Sequence, residues 1–209
     1  MKEFYRRHLP HYQPQYATFF ITFRLVNSLP RHIIEQLKDE YSTQKELRRL
    51  KRTNPKTNNV PDTFYKHYFA AFDEFLDKQK ERNCWLKDKS VAQAVVNAIH
   101  YRDGKEYDLI CYTVMPNHVH MVFTADRSGP STCKSVTKIL QPLKSYTAIK
   151  ANDLLHRTGT FWQGESFDHV VKDEKELERI TSYVLNNPVR AGLVKNAKEW
   201  KFSYCKYGW

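Results

Sequence analysis

Nowhere in this chain do apolar residues run on for the roughly 18 positions that a membrane-crossing helix needs. The opening residues, Met1-Lys2-Glu3-Phe4-Tyr5-Arg6-Arg7, contain no apolar stretch of the kind that heads a secreted protein. Cysteine is scarce and scattered. Cys84, Cys111, Cys133 and Cys205 form no Cys-x-x-Cys pair, which argues against a zinc site or a disulfide framework and for reduced thiols in a cytoplasmic protein. Repeats and low-complexity segments are missing too. The last shortage is of negative charge: 23 Asp+Glu stand against 34 Lys+Arg, a formal net charge of +11. On an otherwise enzyme-like composition, that excess favours a polyanionic partner, nucleic acid ahead of an anionic membrane surface.

Aromatic residues, by contrast, are plentiful. Thirteen Tyr, twelve Phe and four Trp in 209 residues imply a packed core, and the length suits one core with an appended element. Residues 16–26 are rich in β-branched and aromatic types and read as the first strand. A helical pattern from Arg31 to Arg52 ends in a basic cluster, Lys45, Arg48, Arg49, Lys51 and Arg52, which is either a solvated face or a phosphate-contacting patch. Residues 53–63 read as a polar loop. Further helical patterns run from Phe64 to about Gln79 and from Ser90, as N-cap, through Ile99. Tyr107 to Thr124 is the most strand-like run, broken only by the turn signal Pro116-Asn117.

After a loop at 124–130, Ser131 or Thr132 is placed to cap a helix carrying Ile139, Leu140, Leu143, Thr147 and Ala151, which Pro142 should kink or divide. Ser166 to Val171 reads as a short strand. Asp173 then caps an amphipathic helix through Leu177, Ile180, Tyr183 and Val184, stopped by Asn186-Asn187-Pro188. The aromatic tail, Trp200 to Trp209, is expected to pack back on the body. The order β-α-α-α-β-β-α-β-α points to an α+β fold, with helices packed on an antiparallel sheet.

Chemistry concentrates in Met115-Pro116-Asn117-His118-Val119-His120. On an extended strand, His118 and His120 share one face while Val119 and Met121 point to the other. Two imidazoles so placed can converge on one cation through neutral ring nitrogens.

That string, followed by a helix carrying Lys144-Ser145-Tyr146-Thr147, resembles the REP-associated tyrosine transposases, members of the single-strand DNA transposases with a His-hydrophobic-His motif. Phe20 to Pro30 with Arg24, Gly159 to Gln163 through His169, and Asn186-Asn187-Pro188-Val189-Arg190-Ala191-Gly192-Leu193-Val194 resemble further family blocks in the same order. The resemblance implies a ferredoxin-like sandwich with a four-stranded antiparallel sheet, a helical insertion over 30–105 and a tail over 188–209. It implies a metal-dependent single-stranded DNA endonuclease and strand transferase acting on hairpin-forming repeats through a 5′-phosphotyrosine. Tyr146 is then the nucleophile, and His118 and His120 hold Mg²⁺ or Mn²⁺. Arg24, Lys144, Lys150 and Arg190 are the candidate DNA contacts.

A tyrosine oxygen keeps the phosphodiester energy in a covalent bond, and a cation at the strand face polarises the phosphate. In the family a third ligand, Gln or Asn, lies one turn beyond the tyrosine. Lys150 occupies that place after Tyr146, so either the helix is distorted, or the third ligand comes from elsewhere, with Asp168, His169 and Gln163 as candidates, or metal binding is weak. The rival readings are a DNA-binding protein of the same fold with weak or lost chemistry, and a phosphoesterase that forms no covalent intermediate. The partner is DNA rather than membrane, and the chain is a monomer or a homodimer.

Overall fold

The computed structural model describes residues 4–6, 10–12, 14, 16–36, 39, 71–78, 83–125 and 135–208. The basic cluster Lys45 to Arg52, the loop 53–63, the loop after Ala125, Cys133 and the caps expected at Ser131 or Thr132 lie outside these residues. The chain divides into two compact units, one of Met1–Val26 with Asn83–Trp209, the other Asn27–Arg82. Within the second unit, residues 31–36 (α1) and 71–78 (α2) are helical.

The first unit is built on a five-stranded antiparallel sheet. Its strands are β3 (Thr18–Arg24), β4 (Tyr107–Val114), β5 (His118–Ala125), β6 (Phe167–Val170) and β7 (Ser203–Cys205), in the order β6-β3-β5-β4-β7. A separate hairpin pairs β1 (Phe4–Arg6) with β2 (Pro10–Tyr12). Among the described residues three α-helices pack with it: α3 (Lys89–Arg102), α4 (Val136–Leu154) and α5 (Glu174–Arg190). From β3 to β6 this is the split β-α-β-β-α-β arrangement of a ferredoxin-like sheet. The tail supplies one strand more than the four expected. Thus α3, though inside the span 30–105 read as an insertion, is one of the two helices that cross the sheet.

Alternation along the strands decides which helix covers which face. Phe19, Ile21 and Phe23 on β3 face the same way as Val119, Met121 and Phe123 on β5, and form one core with Val91, Val95 and Ile99 of α3 and Ile139, Leu140 and Leu143 of α4. Phe20, Thr22 and Arg24 share the opposite face with Val122, His120 and His118. That second face is covered by α5, whose Tyr183 ring lies 6.2 Å from Phe20 and 5.8 Å from His120. The sheet therefore separates α5 from α4.

Helix ends follow local chemistry. Asp88, not Ser90, is the N-cap of α3, accepting from the backbone of Ser90 and Val91, and a carboxylate there serves two orphan donors at once. Ser135 caps α4 and Asp173 caps α5. Pro142 neither ends nor divides α4, which is continuous over 19 residues. Its ring is on the exposed side of the helix, away from the core packing. Pro188 likewise does not stop α5. It sits in the last turn, where few intrahelical bonds remain to be lost. The helix then closes in a Schellman motif: Leu193 N donates to Pro188 O, Gly192 N donates to Val189 O, and Gly192 takes φ +68°.

Candidate metal and nucleophile site

The Met115-Pro116-Asn117 turn delivers the chain into β5 with Met115 N bonded to His118 O at 2.8 Å. From there the pleat puts His118 and His120 on the α5 face, both fully buried. Their Nε2 atoms are 3.0 Å apart. Each Nδ1 has its own partner: Asn117 Oδ1 at 2.6 Å for His118, Thr22 Oγ1 at 2.7 Å for His120. An amide oxygen only accepts, so His118 Nδ1 carries the proton and its Nε2 presents a lone pair toward His120. Thr22 is the cross-strand neighbour of His120, and Arg24 that of His118.

This donor set fits a divalent cation. Two nitrogens 3.0 Å apart match two ligands of one ion bonded at about 2.1 Å and roughly at right angles to each other. The Asn117 and Thr22 contacts are the orienting bonds that metal-ligating histidines commonly make through the other ring nitrogen. Sequence reasoning passed over both residues, although Asn117 is adjacent in the motif and Thr22 is the one hydroxyl between Phe20 and Arg24.

The structure does not bring Tyr146 to these imidazoles. Tyr146 is on α4, on the other side of the sheet, 48% exposed, with the Arg102 guanidinium 5.6 Å over its ring. Its neighbours Leu143 and Thr147 are buried in the α3/α4 core, and Thr147 Oγ1 accepts from Trp162 Nε1 at 2.9 Å. The tyrosine that does face the pair is Tyr183, half-buried on α5, with Arg190 4.7 Å from its ring centroid. One turn beyond it, on the same side of the helix, is Asn187, fully buried. Tyr183-x-x-x-Asn187 thus sets a phenol and an amide at helical spacing on the face toward the histidines, a spacing visible in the sequence.

The remaining candidates separate as follows. Lys144 Nζ donates to Gln163 O at 2.6 Å, Gly164 O at 3.2 Å and Ser166 Oγ at 3.3 Å, so its ammonium clasps the loop before β6. Lys150 is exposed on α4. Arg24 is buried next to His118 and donates to Leu25 O at 3.4 Å. His169 pairs with Glu176 of α5 at 3.3 Å, on β6, two strands away from the imidazole pair. Asp168 pairs with Ile21 and so lies on the α4 face of the sheet. Neither stands where a third ligand is needed. Gln163 contributes its backbone to the bridge with Arg24, N to O at 2.8 Å.

Fold and site together define an α+β protein with a buried, cation-competent histidine pair on one strand and a tyrosine helix laid over it. Residues 76–187 match the family model described as "Transposase IS200 like", and the chain belongs to that family. It is similar to the "REP-associated tyrosine transposase" of Escherichia coli (strain K12), at 21% identity over 105 residues, covering 50% of this chain and 58% of the relative. It is similar also to a Haemophilus influenzae protein named "Putative REP-associated tyrosine transposase", at 22% identity over 102 residues, 46% of this chain and 58% of the relative. The match thus spans a little over half the length of these curated relatives. A solved structure of a REP-associated tyrosine transposase bound to a REP hairpin is similar with a TM-score of 0.48 and 14% identity, covering 95% of this chain and 80% of that one. Among the described residues, no helix is long and apolar enough to cross a membrane.

Proposed function

We propose that this chain is a divalent-cation-dependent enzyme that cuts and rejoins single-stranded DNA, with Tyr183 as nucleophile. The observation that carries the reading is the placement of the Tyr183 ring 5.8 Å from His120, over a histidine pair whose Nε2 atoms converge at 3.0 Å. His118 and His120 hold the cation, Mg²⁺ or Mn²⁺, and Asn187, one turn past the tyrosine, is the third protein ligand. When bound, the cation polarises the scissile phosphate and offsets its charge. The expected family spacing of a tyrosine and an amide one turn later supports this choice over Tyr146 and Lys150.

The residues then divide the work. Tyr183 Oη attacks phosphorus and the 3′ oxygen departs, taking up the phenolic proton; the DNA remains on the protein as a 5′-phosphotyrosine. Attack by another 3′ hydroxyl reverses the step and restores the phenol. Arg190, beside the ring, supplies positive charge where the phosphate approaches, and Arg24 does so from beneath His118. Lys144 and Lys150, on α4, are not assigned to the scissile phosphate. The curated relatives are named REP-associated transposases; hairpin-forming repeat DNA, which the family resemblance implies, is the substrate class, and the +11 charge is in keeping with it.

The test is a hairpin oligonucleotide with single-stranded flanks, incubated with the full chain and Mn²⁺ and resolved under denaturing conditions. Wild type and Tyr146→Phe should form a covalent protein–DNA adduct and Tyr183→Phe should form none. Binding with no adduct from wild type would support the DNA-binding protein without chemistry. Cleavage that survives Tyr183→Phe would support a phosphoesterase.

A further inference from the structure

Cys111 of β4 and Cys205 of β7, 94 positions apart in sequence, are direct cross-strand partners. The flanking bonds, Lys206 N to Ile110 O and Val114 N to Phe202 O, both 2.9 Å, make theirs a non-hydrogen-bonded position of the ladder. At such a position the Cα atoms lie about 4.5 Å apart with side chains at their closest. That falls inside the span of about 4.4–6.8 Å that a disulfide bridges. Both side chains are on the α5 face, where Cys111 Sγ lies 3.9 Å from Thr181 Oγ1, and both thiols are reduced.

We propose that Cys111 and Cys205 form a reversible redox site, which takes a low-molecular-weight disulfide as oxidant and closes into a cross-strand bond stapling β7 to the sheet. Cys205 is half-buried and Cys111 fully buried, so Cys205 is the sulfur that an oxidant reaches first. The Cys205 thiolate attacks one sulfur of the small disulfide and a small thiolate leaves. Cys111 then attacks the Cys205 sulfur of the mixed disulfide and expels the second small thiolate. The two protein protons end on the two departing thiols, so two protein thiols are oxidised and one small disulfide is reduced. Burial pushes the Cys111 thiol up to about 12, which slows the second step at neutral pH and lets the mixed disulfide accumulate first.

The staple would act close to the histidine pair. Two residues along β4, Thr113 is the cross-strand neighbour of His120, and Ser203 of β7 bonds its hydroxyl at 2.7 Å. The tail is also tied by Trp200 Nε1 to Val114 O at 3.0 Å. Oxidation therefore adds a covalent tie to a three-residue strand otherwise held by ladder hydrogen bonds, the stacking of Tyr204 on Tyr112 and the Lys206–Asp108 pair, and reduction returns it to these.

The experiment exposes the full chain to oxidised glutathione near pH 8, digests it with trypsin without reductant and maps the peptides by mass spectrometry. The expected product joins peptide 106–127 to peptide 202–206, appears after a glutathione adduct on Cys205 and disappears with dithiothreitol. A Cys84→Ser/Cys133→Ser variant should form the same product, and the amides of 203–205 should exchange hydrogen several-fold more slowly when oxidised. Glutathione that stays on Cys205 without forming the link would overturn the proposal. So would a link through Cys84 or Cys133 in its place, or a Cys111–Cys205 link that leaves exchange unchanged.

Discussion

Replacing Thr22 by valine removes the hydrogen bond that orients His120 without touching either histidine. Thr22 Oγ1 lies 2.7 Å from His120 Nδ1, and the residue is 3% exposed, so water cannot take over the contact. Valine keeps the branched shape and the strand preference of threonine and deletes the hydroxyl. A buried polar atom left without its partner costs about 1–3 kcal/mol. Loss of an outer-shell partner lowers metal affinity about 10- to 100-fold, equivalent to roughly 1.4–2.7 kcal/mol. The first cost is read as lost folding stability and the second as weaker metal binding, so the two are measured separately.

The assay is calorimetric titration of the full chain with Mn²⁺, wild type against Thr22→Val, with thermal midpoints measured in parallel. The expected result is a Kd at least tenfold weaker and a modest loss of stability. A Kd within about twofold of wild type, with the fold intact, would refute the argument that Thr22 sets the direction of His120 Nε2.

Three further outcomes follow from the packing. Leu143 is fully buried between α4 and the sheet, so Leu143→Ala should destabilise the chain by about 2–5 kcal/mol in denaturant titration without changing the pattern of DNA products. Gly192 closes α5 at φ +68° with open space around its α-carbon, so Gly192→Ala should cost about 1–2 kcal/mol of melting stability from backbone conformation alone. Alkaline pH should destabilise the protein: burial pushes the Cys111 thiol up from its ordinary 9.0 to about 12, and raises the Tyr107 and Tyr112 phenols as well. For such groups the stabilisation is complete below the unfolded pKa and is lost as pH rises toward the folded one, by about 1.4 kcal/mol per pH unit for each group. Between pH 9 and 10, melting curves of Cys111→Ala should therefore fall less steeply than those of wild type.

What was legible in the sequence was whatever has a short period. Strand alternation put His118 and His120 on one face and Val119 and Met121 on the other, and the ladder bears this out, with Thr22 and Arg24 opposite the two histidines. The turn at Pro116-Asn117 and the cap at Asp173 were legible for the same reason, since each depends on neighbours a few positions away. The Cys111–Cys205 pairing was not, because register between strands from opposite ends of a chain is a tertiary property. The tail strand was hidden by its length of three residues.

Which tyrosine meets the histidines depends on which helix covers which face, and here the sequence held more than periodicity extracts. Crossover connections between parallel strands of one sheet are right-handed, so the two helices of a β-α-β-β-α-β unit fall on the same face. That face must be the wholly apolar one, since two packed helices exclude water from it. Along β3 the alternate positions Phe19, Ile21 and Phe23 are all apolar, whereas Phe20, Thr22 and Arg24 include a hydroxyl and a guanidinium. The apolar set fixes the face under α3 and α4, and the histidines, in register with the other set, must look away from both. Tyr146 was therefore excluded by the composition of a strand more than a hundred residues before it. The helix left over, α5, covers the face of the histidines, and Tyr183 and Asn187, one turn apart, are on its inward side.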